Sequence, residues 1–169
     1  MAGQLVQVAT NTVTSAVASV DLIGTTTDDV YVIFANNVTP SSDSQNFRFR
    51  VLESGTANTT SNYDYAHKFL TASGSYGNFS DTNQTSIRFV STGTATGEQT
   101  NQLVYIYNAN DSSEFTFFSQ EQSQLNEASV LTGVQGGGVF TSSSQVNGIK
   151  LFFESGNIAS GTFTLYKVV

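Results

Sequence analysis

An alternation of apolar and polar residues with period two recurs along this chain, and it restricts the fold to sheets. The cleanest case is Phe47-Arg48-Phe49-Arg50-Val51, which puts two phenylalanines and a valine on one side and two arginines on the other. Tyr63, Tyr65, His67 and Phe69 share one face of a second segment, with Asp64 and Lys68 opposite. Ile87 and Phe89 flank Arg88; Ile149, Leu151 and Phe153 alternate with Lys150; Phe163 and Leu165 alternate with threonines. Two further runs, Val30-Tyr31-Val32-Ile33-Phe34 and Leu103-Val104-Tyr105-Ile106-Tyr107, are apolar on both faces. Such strands are covered twice or lie at a subunit contact, so Tyr31, Ile33, Val104 and Ile106 are the candidates for a subunit seam.

Between these runs lie segments rich in Gly, Ser, Thr, Asn and Asp, at 36–45, 54–62, 71–85, 91–101 and 108–113. These residue types suit turns. The spacing predicts an all-β fold: an antiparallel, two-sheet, jelly-roll-like sandwich of about eight to ten strands. Residues 11–169 would form this single domain, with 12–22 as its first strand, carrying Ala16, Ala18, Val20 and Leu22 on one face. Residues 1–10 would be a frayed end or an arm that docks on a neighbour. The segment Ser119–Asn126 has room for a helical turn or two, but its polarity on all sides argues against a stable helix.

Composition narrows function. Only 11% of residues are charged, while Ser, Thr, Asn and Gln supply 69 of 169, so the surface is polar and largely uncharged. The net charge of −7 argues against nucleic-acid binding, which needs a basic stripe, and against docking on anionic membranes. No apolar run is long enough for a membrane span, and Met1-Ala2-Gly3-Gln4 lacks the basic start of a secretory signal. Cysteine is absent and His67 is the single histidine, which leaves no thiolate chemistry and no multi-histidine metal site within one chain.

No motif asks for a cofactor, a metal or a catalytic role. His67 reads as a partly buried, hydrogen-bonded histidine on an aromatic face. Asp28-Asp29 and Asp43 read as solvated turn carboxylates, without the spacing of a calcium loop. The glycine-rich pieces 133–138 and 156–161 read as turns or bulges; the first lacks the lysine and hydroxyl residue of a phosphate loop. The five Asn-x-Ser/Thr triplets match the number that composition alone produces. Tyr76 and Phe79, in the polar run Gly74-Ser75-Tyr76-Gly77-Asn78-Phe79, are the candidate contacts for a sugar or protein partner.

The C-terminal stretch from Val146 to Tyr166 carries a family resemblance. Its segment Phe153-Glu154-Ser155-Gly156-Asn157-Ile158-Ala159-Ser160-Gly161-Thr162-Phe163-Thr164-Leu165-Tyr166 resembles the closing hairpin of small β-sandwich virion proteins of tailed bacteriophages. In those proteins a strand leads into Ser-Gly-Asn-Ile, then a Ser-Gly turn, then a last strand ending in Leu-Tyr. The stretch from Tyr31 through Pro40 to Val51, followed by Tyr63-Asp64-Tyr65-Ala66, resembles their earlier strands. The chain departs from them at its end, with Lys167-Val168-Val169 where many relatives have glycine.

The resemblance implies a non-enzymatic virion component, as a capsid decoration (cement) protein or a small tail fibre or adaptor. It implies contacts with major capsid or tail proteins, a homo-oligomer with a trimer favoured, and a virion location after assembly in the host cytoplasm. The alternative from another class is a carbohydrate-binding, receptor-binding module reaching a host surface glycan. A glycan depolymerase is the third, with no placed acid pair to support it.

Overall fold

The segments centred on Phe49, Tyr65, Phe89, Leu151 and Phe163 are all strands in the computed structural model, which describes residues 3–169. In chain order the strands are β1 (Leu5–Val13), β2 (Ser19–Ile23), β3 (Tyr31–Pro40), β4 (Gln45–Glu53) and β5 (Thr56–Ala57). They continue as β6 (Tyr63–Thr71), β7 (Tyr76–Gln84), β8 (Ile87–Thr92), β9 (Thr100–Tyr107) and β10 (Thr116–Leu125). The last are β11 (Leu131–Phe140), β12 (Gly148–Phe153) and β13 (Ile158–Val168), and no helix occurs among the described residues.

Two antiparallel sheets form a sandwich, as the alternation predicts. The larger has the order β1-β13-β3-β9-β10-β11-β6-β7. In the smaller, β2, β12 and β4 lie side by side, and β5 and β8 share the remaining edge of β4 at its two ends. Thirteen strands exceed the expected eight to ten because four segments read as arm or turn are strands: β1, β5, β7 and β11.

The first of these is a correction. Residues 5–10 are not frayed: β1 pairs with β13 from Leu5↔Val168 to Val13↔Gly161, with one bulge between Gln7 and Ala9. The expected single strand over 12–22 divides instead, ending at Val13 and resuming at Ser19 in the other sheet; Val20 and Leu22 are buried while Ala16 and Ala18 are exposed. Met1 and Ala2 of the expected arm lie outside the described residues.

One half of the inter-sheet space is filled by phenylalanine. Phe47 meets Phe153 at 5.1 Å between ring centroids and Phe89 at 5.7 Å, and Phe49 meets Phe118 edge-on at 4.9 Å. All five are buried, each contributing about 1.5–3 kcal/mol by leaving water. Arg48 and Arg50 face outward, as the alternation requires. Arg48 pairs with Glu154 at 2.5 Å, and Arg50 lies 4.7 Å over the Phe152 ring.

The other half is polar. The core-facing side of β10 carries Gln120, Gln122 and Gln124, each at most 4% exposed. The amide of Gln122 accepts from Val90 N–H at 3.1 Å and donates to Val90 C=O at 3.2 Å. Gln124 donates to Ser91 C=O and accepts from the Thr92 hydroxyl at 2.7 Å. Strand β8 pairs with β4 on one side only, so side-chain amides from the opposite sheet serve its other edge as a neighbouring strand would. The run that offers no helical face is therefore a strand whose inward side happens to be glutamine.

The glycines of β11 are a second correction. They sit mid-strand, not in a turn. Gly136 lies where a Cβ would meet Ala66 O at 2.3 Å and His67 Cδ2 at 2.4 Å, and one on Gly138 would meet Ile87 Cδ1 at 2.2 Å. Close approach, not turning, requires them.

The C-terminal segment expected as a closing hairpin is a third correction: β12 pairs with β2 and β4 while β13 pairs with β1 and β3, so the two strands do not pair and the loop between them crosses from the small sheet to the large one. Gly156 has φ 74°, Asn157 exchanges hydrogen bonds with Ser41, and Ile158 is fully buried and bridged to Val17. Gly161 has φ 147° at a register shift of β13 against β3, where a Cβ would meet Val38 at 3.1 Å.

Candidate binding face

The four seam candidates are interior. Tyr31, Ile33, Val104 and Ile106 are at most 2% exposed and belong to the core of a single chain. They cannot form a subunit contact, because their side of β3 and β9 already packs against the small sheet. The opposite side of the same strands points outward and carries Val32, Phe34, Leu103, Tyr105 and Tyr107. A one-residue phase difference separates the two sets.

Strand register assembles the outer face of the large sheet into rows. One row runs Tyr166, Val32, Tyr105, Ser119, Gly137, Ala66 and Ser80 across β13, β3, β9, β10, β11, β6 and β7. The next runs Thr164, Phe34, Leu103, Glu121, Gln135, Lys68 and Asn78 across the same strands. On the other side of the first row, Tyr107, Phe117, Val139 and Asp64 stand in line. The face thus has an aromatic half over β13, β3, β9 and β10, and a low half over β11 and β6, where Gly133, Gly137 and Ala66 leave the floor bare.

The aromatic half is ordered by contacts of its own. Tyr105 and Tyr107 lie nearly parallel with centroids 6.4 Å apart, and Phe34 meets Tyr166 edge-on at 5.6 Å. The Tyr107 hydroxyl is 3.0 Å from the Ser119 hydroxyl. Tyr105 and Phe117 remain 37% and 45% exposed, unusual for rings on a sheet. Against this wall the low half forms adjoining troughs, the two larger holding about 570 and 740 Å³. Glu121, Gln135 and Lys68 lie at the centre, with Gln135 donating to Glu121 at 3.3 Å, and Asp64 and Asp81 close one end.

Tyr76 and Phe79 are placed on β7, not in a loop, and they point to opposite faces because they are three residues apart. Tyr76 is 74% exposed beside Leu70 on the outer face. Phe79 turns inward, with its ring 4.8 Å from His67 and 5.2 Å from the Arg88 guanidinium. It is core lining and is not free to stack on a ligand.

His67 is buried between Tyr65 and Phe79, and its Nε2 contacts the Gln120 side-chain amide. Burial pushes its pKa down to about 4, so the ring is neutral at pH 7. Asp29 pairs with Lys167 at 2.6 Å, and that hydrogen bond holds its carboxyl below the ordinary range. Asp43 accepts from Thr94 N–H at 3.1 Å, so its carboxylate ties its own loop to the distant loop after β8 and does not bond within its own turn.

The aromatic face is the feature that sequence reasoning missed. Its signal was present in the doubly apolar runs, but those runs do not say which side faces water. No known family's sequence pattern matches the chain, and no curated protein matches it.

Proposed function

We propose that this chain is a non-enzymatic structural component of a tailed-phage virion, acting as a capsid decoration protein or a small tail fibre or adaptor. The observation that carries the reading is the C-terminal segment. Its Ser-Gly-Asn-Ile…Ser-Gly-Thr-Phe-Thr-Leu-Tyr pattern resembles that of small virion β-sandwiches, and it forms the connection between the two sheets. Gly156 and Gly161 supply backbone conformations, Ile158 anchors the loop, and Phe163 and Leu165 enter the core.

The surface suits this role. Only three ion pairs occur among the described residues, so cohesion depends little on ionic strength. Partners are then other virion proteins and further copies of the chain, with a trimer as the favoured assembly. Edge strand β1, uncharged and with Leu5, Val6 and Val8 exposed, offers apolar surface and free backbone groups for such contacts.

Deleting the coding sequence from a phage that makes this chain tests the proposal. A decoration role predicts heads that rupture at lower temperature with normal adsorption. A tail role predicts intact heads with reduced adsorption or incomplete tails. Particles unchanged in yield, heat resistance and adsorption would refute the proposal.

A further inference from the structure

We infer that the outer face of the large sheet, centred on Tyr105, Phe117 and Glu121, binds a neutral oligosaccharide. The inference goes beyond the virion role and does not depend on it. Three features of the face specify the ligand. The first is the arrangement of rings. Tyr105 and Phe117 are partly exposed, and the negative charge density of an aromatic ring face attracts the weakly positive C–H groups on one side of a pyranose.

The second is the polar centre of the trough. Glu121, Gln135 and Lys68 occupy one row that runs from β10 at the foot of the aromatic wall onto the low strands β11 and β6, where Gly133, Gly137 and Ala66 flank them. An apolar partner laid there would strip water from a carboxylate, an amide and an ammonium without replacing their hydrogen bonds. Sugar hydroxyls both donate and accept, so they satisfy all three groups while the sugar's C–H side covers a ring. This alternation of stacking and hydrogen bonding selects a polyhydroxylated ligand over an apolar protein surface or a lipid.

The third is charge. Glu121 and Lys68 balance in one trough, Asp64 and Asp81 line the other with no cation, and the whole chain carries −7, so the face as a whole is acidic. A uronic-acid or sialylated glycan would meet like charge; a neutral one would not. A second copy of the chain would also bring carboxylates against carboxylates. The distance along β10 from Phe117 to Ser123 is six residue steps, or roughly 20 Å, long enough for several linked pyranose rings.

Isothermal titration of the full chain with neutral β-linked tetrasaccharides of glucose, galactose, mannose and N-acetylglucosamine tests this, with a galacturonate tetrasaccharide as the anionic control. At least one neutral sugar should bind. Tyr105→Ala, Phe117→Ala and Glu121→Gln should each weaken that binding by about tenfold or more. Amide shifts in NMR spectra of the same titration should fall on β6, β9, β10 and β11. Unchanged circular dichroism would confirm that the variants fold.

Silence of every neutral sugar at about 5 mM would overturn the inference, as would tighter binding of galacturonate. So would binding lost in Tyr76→Ala but kept in Tyr105→Ala, which would move the site to the β7 edge. Sedimentation showing an oligomer that Tyr105→Ala dissolves would assign the face to a second copy and overturn it too.

Discussion

Gln122→Leu should destabilise the fold far more than a surface substitution, although it places a hydrophobe in the interior. The Gln122 amide serves both backbone groups of Val90, at 3.1 and 3.2 Å, and the second hydrogen of its NH2 lies within reach of the Thr100 hydroxyl at 3.1 Å and the Gln124 side-chain oxygen at 2.6 Å. Leucine removes all of these and leaves a buried N–H and C=O without partners. Each net hydrogen bond is worth about 1 kcal/mol, and each orphaned buried group costs about 1–3 kcal/mol, against a partial gain from the apolar side chain. The expected loss is about 2–4 kcal/mol, a large share of the 5–15 kcal/mol typical of a domain. With a urea slope near 2 kcal/mol/M, the unfolding midpoint should fall by about 1–2 M with the slope unchanged. Hydrogen exchange at the Val90 amide should accelerate selectively. Gln135→Leu, on the outer face, should shift the midpoint by no more than about 0.3 M. A Gln122→Leu protein as stable as wild type would refute the idea that these amides complete the edge of β8.

Further outcomes follow from the same packing. His67 is neutral in the fold with a pKa of about 4 and takes up its proton near 6.5 when unfolded. The unfolded chain therefore binds more protons between those values, so stability is fullest above pH 6.5 and falls by about 3 kcal/mol as pH drops to 4. His67→Gln should flatten that slope in urea melts, and an unchanged slope would exclude His67 as its source. Gly136→Ala should cost at least about 2 kcal/mol, because its Cβ has nowhere to go, while Gly133→Ala, open on all sides, should be nearly neutral; equal effects by thermal melting would contradict the geometry. Phe49→Ala should cost about 3–5 kcal/mol in the same assay, since it removes a fully buried ring packed on Phe89 and Phe118. Raising sodium chloride to about 1 M should change stability by less than about 1 kcal/mol, because the ion pairs are few and at the surface.

The sheets were legible wherever the interior is apolar. Phe47, Phe49 and Val51 face the core and Arg48 and Arg50 face water, as their alternation says. The same reasoning failed at β10 because its inward positions are Gln120, Gln122 and Gln124. Hydrophobic periodicity detects burial only when what is buried is hydrophobic. It failed at β11 because glycine carries no periodic signal, and close approach to His67 and Ile87 is a tertiary demand. Strand β1 reads as a frayed end or an arm because an edge strand with exposed valines resembles a loose terminus until its partner, β13, is known. Of the candidate site, the aromatic content was readable and the face was not. In a run apolar at every position, Tyr31 and Val32 are equivalent until the second sheet is placed. Tyr76 and Phe79 were grouped by proximity in sequence, and strand geometry then sent them to opposite sides of β7.

The most direct measurement is the amount of this chain in purified phage particles separated into heads and tails, quantified by mass spectrometry. A virion protein predicts a fixed number of copies confined to one fraction, a multiple of three if the favoured trimer forms: many in heads for decoration, few in tails for a fibre or adaptor. Absence from both fractions, while the chain is abundant in the lysate, would contradict the account.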